Sequence, residues 1–261
     1  LSRRQRQMCI RDSVKGEIEF DHVSFAYPEA GENVLTDISF KAKKGQTIAV
    51  IGSTGSGKST LINLIPRYYD VTKGSVKVDG VDVRDMTQKE LRDKLGYVPQ
   101  KGVLFSGTID SNIRYGKPEI TDAQVKEAAE VAQATEFIDT KPEKYESPVS
   151  QGGTNVSGGQ KQRLSIARAI AKDPEIFIFD DSFSALDFKT DSQLRKALKE
   201  YTKDATTVIV AQRISTILGA DQIIVLDDGH MAGIGTHKEL MANCEVYQQI
   251  ARSQLSEEEL A

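Results

Sequence analysis

An α/β fold with a mainly parallel core sheet is predicted by three observations. A glycine-rich loop lies between an apolar strand and a helix, β and α segments alternate through the second half of the chain, and the strands there are apolar throughout. The loop is Gly52-Ser53-Thr54-Gly55-Ser56-Gly57-Lys58-Ser59-Thr60, which satisfies the phosphate-loop pattern G-x-x-x-x-G-K-[ST]. It follows Thr47-Ile48-Ala49-Val50-Ile51 and runs into Leu61-Ile62-Asn63-Leu64-Ile65, so it reads as strand, loop and helix. The glycines let consecutive N–H groups turn inward around a polyphosphate, and the helix adds the positive end of its dipole. In that pattern Lys58 supplies charge to the outer phosphates and Ser59 a hydroxyl to Mg2+.

Ahead of the loop, Ile18, Phe20, Val23, Phe25 and Tyr27 alternate, as do Val34, Leu35, Ile38 and Phe40 after a break at Pro28 to Asn33. This predicts an N-terminal antiparallel β subdomain. After the first helix, Gly74 to Val83 predicts two short strands about a turn at Asp79-Gly80. Helical spacing holds from about Asp110 to Asp139, within an α-helical subdomain inserted at about residues 101–173. Beyond Gly158 the pattern predicts a helix to Ala171, a strand Ile176 to Phe179, a helix around Gln193 to Tyr201 and a strand Thr206 to Ala211. A strand Asp221 to Leu226, a hairpin partner Gly229 to Gly235 and one terminal helix Thr236 to Arg252 complete a P-loop NTPase core.

The 261 residues are 39% hydrophobic, enough for a large buried core. The longest apolar runs, such as Ile223-Ile224-Val225-Leu226, are strand length and far short of a bilayer span. A net charge of -4 supplies no overall basic field, so no nucleic-acid partner is expected. Cys9 and Cys244 make neither a disulfide framework nor a metal site. Residues 1–13 carry Arg3, Arg4, Arg6 and Arg11 with little apolar pattern, and are set apart as a basic linker or a segment foreign to the gene. Residues 254–261 form an acidic tail, read as solvated.

Asp180 ends the apolar strand Ile176 to Phe179, where the second acidic element of a phosphate-loop enzyme holds Mg2+. A second string, Asn155-Val156-Ser157-Gly158-Gly159-Gln160-Lys161-Gln162-Arg163, precedes the helix beginning near Leu164. Ser157 alone reads equally as a helix N-cap. The whole string resembles the signature of the ATP-binding cassette family, close to L-S-G-G-Q, with Val156 at the leading position. Other family elements fall in order: Tyr27 ahead of the loop, Gln100 after Tyr97-Val98-Pro99, and Ser184-Ala185-Leu186-Asp187 after the acidic strand end. The resemblance spans about residues 16 to 252 and makes 14–253 a nucleotide-binding domain.

It implies ATP and Mg2+ as ligands, with Ser59, Gln100 and Asp180 around the metal. It also implies a head-to-tail dimer with a second nucleotide-binding domain, each ATP lying between one phosphate loop and the partner's signature. Ser157, Gly158, Gly159 and Gln160 would then meet the partner's γ-phosphate. Tyr27 would stack on adenine, or else be an ordinary strand tyrosine. Gly102 to Ile113 and Tyr145 to Gly153 resemble the exporter branch, whose cassettes sit on the cytoplasmic face of the cell membrane against a transmembrane domain, expected upstream. Gln151 departs from the exporter pattern, which usually carries glutamate there.

Two further departures fall on the chemistry. The residue after Asp180, glutamate in the family and the group that activates water, is Asp181, a carboxylate set back by one methylene, about 1.5 Å. The switch histidine position after Thr207 to Ala211 is Gln212, which donates a hydrogen bond but does not titrate near neutrality. With the binding positions kept, this resembles the degenerate subunit of bacterial heterodimeric exporters: its own ATP site is weak, and its signature completes the site of a partner bearing Glu and His. A non-transporting, nucleotide-gated dimerising module and a homodimeric cassette using Asp181 as its base remain alternatives.

Overall fold

The computed structural model describes residues 15–28 and 30–255, so the basic segment 1–13 and tail residues 256–261 lie outside the described residues. In chain order the strands are β1 (Ile18–Phe25), β2 (Leu35–Ala42), β3 (Thr47–Gly52), β4 (Lys73–Val78), β5 (Val81–Asp82), β6 (Leu95–Val98), β7 (Gly107–Thr108), β8 (Pro148–Val149), β9 (Ile176–Asp180), β10 (Thr206–Val210), β11 (Gln222–Asp227) and β12 (His230–Gly235). The helices are α1 (Lys58–Asn63), α2 (Gln88–Asp93), α3 (Ile109–Ile113), α4 (Asp122–Val131), α5 (Thr135–Asp139), α6 (Gly158–Ala171), α7 (Phe188–Tyr201), α8 (Ile214–Ile217), α9 (His237–Asn243) and α10 (Glu245–Gln254). The chain divides into two compact units, one running to Leu95 and resuming at Ala205, the other spanning Gly96–Asp204.

The first unit holds two sets of strands. β2-β1-β4-β5 is antiparallel throughout, as the alternating pattern predicts, with Phe20 opposite both Phe40 and Val76. Asp79 and Gly80 both take positive φ, 53° and 73°, and close the β4–β5 hairpin. The buried Asp79 carboxylate also accepts the Gly16 and Glu17 N–H groups and pairs with Lys94 at 2.6 Å. In the second set, β12-β11-β3-β10, the central β3 is parallel to β10 and β11, while β12 is antiparallel on the edge. Val50 faces Val210 on one side and Ile224 on the other, and all three are buried. Strands covered on both faces explain the continuous apolar runs.

In place of the single C-terminal helix expected over Thr236 to Arg252 there are two, α9 and α10. The chain extends at Cys244 (φ -121°, ψ 104°). The thiol packs where a side chain on Gly233 would stand, 2.8 Å from Sγ. That break resets the helical phase, so that Leu240, Tyr247 and Ala251 all join the core under Ile223 and Val225.

The second unit carries β9, every residue of which is buried, beside β6, and the small β7–β8 pair. The helical stretch expected from Asp110 to Asp139 is broken into α3, α4 and α5. Thr108 and Thr121 each start a helix with a reciprocal capping box. α6 runs over Gly158 to Ala171, as the pattern predicts, and α7 begins at Phe188, five residues before the expected Gln193. The reason is Asp187, whose carboxylate accepts the Thr190 N–H at 3.0 Å and caps the extra turn. Among the described residues, no helix is long and apolar enough to cross a membrane.

Candidate functional site

The phosphate loop opens where β3 ends. Gly52 passes so close to β11 that a Cβ on it would lie 2.1 Å from the Leu226 carbonyl oxygen. Gly57, at the N-cap of α1, holds φ 97°, and a side chain there would strike Leu35 Cδ2 at 2.8 Å. Only glycine fits both demands, so the motif is built from backbone geometry as well as from ligand chemistry. The Lys58 ammonium folds back over the loop and donates to the Gly52 carbonyl at 2.9 Å and the Ser53 carbonyl at 2.7 Å. Ser53, Thr54, Gly55 and Ser59 are exposed, whereas Ser56 is buried under the turn.

Tyr27 sits two residues past the end of β1, half-buried. Its hydroxyl shares a 3.0 Å hydrogen bond with Thr60 Oγ1, and its ring meets Phe25 and Tyr69 edge-on. Gln212 lies in the turn two residues past the end of β10, whose last residue, Val210, pairs with Val50 of β3. Its side chain is exposed, and its carbonyl accepts Gln254 Nε2 at 2.8 Å, while Gln254 Oε1 accepts the Ile214 N–H at 2.8 Å. Gln254 thus ties α10 to the backbone at Gln212 and at Ile214. No local pattern signals this tie, because the two segments are 42 residues apart.

In the second unit, Asp180 ends β9 and Asp181 turns the chain, each only 8% exposed. Asp181 takes φ 46°, a left-handed conformation that aspartate tolerates better than most residues. The Tyr97 hydroxyl donates to Asp180 at 3.4 Å, and Gln100 Nε2 donates to Asp181 at 3.1 Å. Ser184 Oγ donates to the Asp181 carbonyl at 3.0 Å and Ser182 Oγ to the Val98 carbonyl at 2.8 Å, fixing the turn from below. Tyr97 was not singled out from sequence, although it stands three residues before Gln100.

The signature opens α6. Ser157 Oγ accepts the Gln160 N–H at 3.2 Å, and Gln160 Oε1 accepts the Ser157 N–H at 3.1 Å. Ser157 is therefore the N-cap of α6, and it stands at an exposed helix start. A side chain on Gly158 would meet nothing within 4 Å, and one on Gly159 would lie 3.5 Å from the Ala185 carbonyl, so the signature borders Ser184-Ala185-Leu186-Asp187. The hydrogen bond from the Thr190 backbone keeps the Asp187 carboxyl below its ordinary range. Val156 is buried in the place of the leading leucine, and Gln151 is exposed on a short turn whose Gly152 N–H donates to the Leu104 carbonyl.

Within the second unit, the Asp180 carboxylate and the Gln100 amide oxygen are hard oxygen donors of the kind Mg2+ takes, and in the first unit Ser59 offers an exposed hydroxyl of the same kind. Because Gln100 turns its NH2 toward an acceptor-only carboxylate, its oxygen is the end left for a cation. No cluster of three or more His, Cys, Asp or Glu stands among the described residues.

Comparison with known proteins agrees with this geometry. Residues 35–184 match the ABC transporter family. The chain is 48% identical over 246 residues to an "Uncharacterized ABC transporter ATP-binding protein" of Mycobacterium tuberculosis, covering 93% of this chain and 42% of that protein. It is 48% identical over 230 residues to the "Putative multidrug export ATP-binding/permease protein YgaD" of Bacillus subtilis, covering 88% of this chain and 40% of that protein. It is also similar to a solved structure of a bacterial Atm1-family ABC exporter with ATP bound, at a TM-score of 0.89 and 38% identity over 93% of this chain and 43% of the other. The chain therefore spans about two fifths of the length of these relatives. With its phosphate loop, acidic strand end and signature in the family's order and its fold matched along nearly its whole length, the chain belongs to the ABC transporter family and carries the ATP-binding domain of that family.

Proposed function

We propose that this chain is the ATP-binding part of a heterodimeric exporter on the cytoplasmic face of the cell membrane, that it holds MgATP in a hydrolytically weak site of its own, and that its signature completes the competent site of a partner cassette. The observation that carries this reading is the pair of departures at the reacting groups: Asp181, short by one methylene and engaged by Gln100, and Gln212 in the switch position. Misplacing a general base by about 1 Å costs about a hundredfold in rate. The phosphate loop, Asp180 and Ser157 remain as binding requires. In this reading Lys58 and the loop N–H groups hold the phosphates, Ser59, Gln100 and Asp180 hold Mg2+, and Tyr27 stacks on adenine. Bound Mg2+ draws charge from the phosphates. Asp181 orients water only weakly, and Gln212 donates to the γ-phosphate without taking a proton.

Export is supported by the relatives named as putative multidrug export ATP-binding/permease proteins, and the permease they include is the proposed membrane partner. The test is ATP hydrolysis by the chain alone and mixed with a cassette bearing Glu and His at the corresponding positions. Near-zero activity alone with turnover in the mixture supports the reading. Vigorous turnover alone defeats it and favours a homodimer that uses Asp181. A polypeptide or operon with no membrane spans would favour the non-transporting module.

A further inference from the structure

Gln162 is 1% exposed and lies one turn into α6, yet both ends of its amide leave the helix. Its Nε2 donates to the Pro99 carbonyl at 3.0 Å and its Oε1 accepts the Gly102 N–H at 2.9 Å. These two bonds bracket Gln100 and Lys101. Gly102 itself lies flat on the helix: a Cβ there would stand 2.7 Å from the Lys161 carbonyl and 2.8 Å from Ser165 Oγ. Further along α6, Arg168 extends the same attachment, donating to the Val103 carbonyl at 2.9 Å and the Asn112 carbonyl at 2.8 Å.

We propose that Gln162 is a positioning residue that fixes the Gln100 segment to the signature helix and so holds the Gln100 amide against Asp181. A buried glutamine needs partners for both amide ends, and that need alone would be met by any nearby backbone groups. Here the partners are the carbonyl and N–H on either side of the residue that reaches Asp181. With its ends tied to a fourteen-residue helix, the exposed Gln100 side chain hangs from a fixed two-residue bridge. The signature and Gln100 consequently shift together, so a site served by Ser157 and a site served by Gln100 receive one common displacement.

The proposal rests on the reading of Gln100 as a Mg2+-facing residue of the ATP site, and the experiment separates the two. In the full chain, native-state hydrogen exchange is compared for the unaltered protein, Gln162→Met and Gly102→Ala, and ATP affinity is measured with and without Mg2+ for these, for Gln100→Ala and for Gln100→Ala combined with Gln162→Met. With two partly buried hydrogen bonds lost, the Gly102 region should exchange about tenfold faster or more in Gln162→Met, while β9 and the middle of α6 keep their protection. Mg2+-dependent tightening of ATP binding should fall in Gln162→Met and Gly102→Ala, and the double variant should bind no worse than Gln100→Ala alone. Unchanged protection at Gly102, loosening spread through all of α6, or additive losses in the double variant would overturn the proposal. If Gln100→Ala leaves the Mg2+ effect intact, the reading of Gln100 falls and the exchange result still decides the role of Gln162.

Discussion

The Gln100 amide and the Asp181 carboxylate are joined at 3.1 Å, so the residue in the general-base position is held by a neighbour within its own unit. A longer acid at 181 would bring its carboxylate forward by about 1.5 Å. Asp181→Glu combined with Gln212→His is expected to raise steady-state ATP hydrolysis at this site by about ten- to a hundredfold. Because Asp181 sits at φ 46°, glutamate there should also cost up to about 1 kcal/mol, seen as a small drop in melting temperature. Unchanged turnover in the double variant would place the defect elsewhere.

Ser157 has a cap to maintain and, in the proposed dimer, a phosphate to meet, and two substitutions separate these tasks. Ser157→Ala should lose about 1 kcal/mol of stability with the capping box. Ser157→Asp keeps a capping oxygen but brings a negative charge to an anion-facing helix start, so it should melt near the unaltered protein. In a mixture with a competent partner, both should lower ATP turnover, with Ser157→Asp the more severe by about tenfold or more. Equal activities would count against a role in trans.

Gly57 combines a left-handed backbone with a crowded Cβ direction. Gly57→Ala must hold φ 97° and displace Leu35, at a cost of about 1–3 kcal/mol, and should lower both the melting temperature and ATP affinity. Gly158→Ala, inside a helix and facing open space, should leave the melting temperature unchanged or raise it. Thermal unfolding of the two variants side by side reads the difference.

Asp187 gives a dependence on acid. Its carboxyl is held below the ordinary value of 3.8 by the Thr190 backbone, so the folded pKa is the depressed one. The cap therefore adds stability above that range, and the contribution disappears as pH falls through the folded pKa. Asp187→Asn, which caps without titrating, should flatten the part of the acid-unfolding curve below about pH 4 that this group supplies.

The phosphate loop, the acidic strand end, the signature and most elements were legible because each is a local pattern: a glycine spacing, an apolar strand closed by Asp180, a serine before a helix. The early start of α7 was hidden by the polar run Lys189 to Ser192, where Asp187 rather than apolar spacing starts the helix. The break at Cys244 was hidden because its cause is Gly233, eleven residues away on β12. Gln162 and Gln254 were invisible as site-supporting residues for the same reason. What they hold, at Pro99 and Gly102 and at Gln212 and Ile214, is distant in sequence and consists of backbone atoms that carry no residue-type signal.

Lys58, already hydrogen-bonded to two carbonyls of its own loop, makes nucleotide arrival an exchange of partners rather than the filling of a charged void. Measured ATP affinity is then the difference between two sets of hydrogen bonds to one ammonium group, and falls short of the full strength of its contact with phosphate.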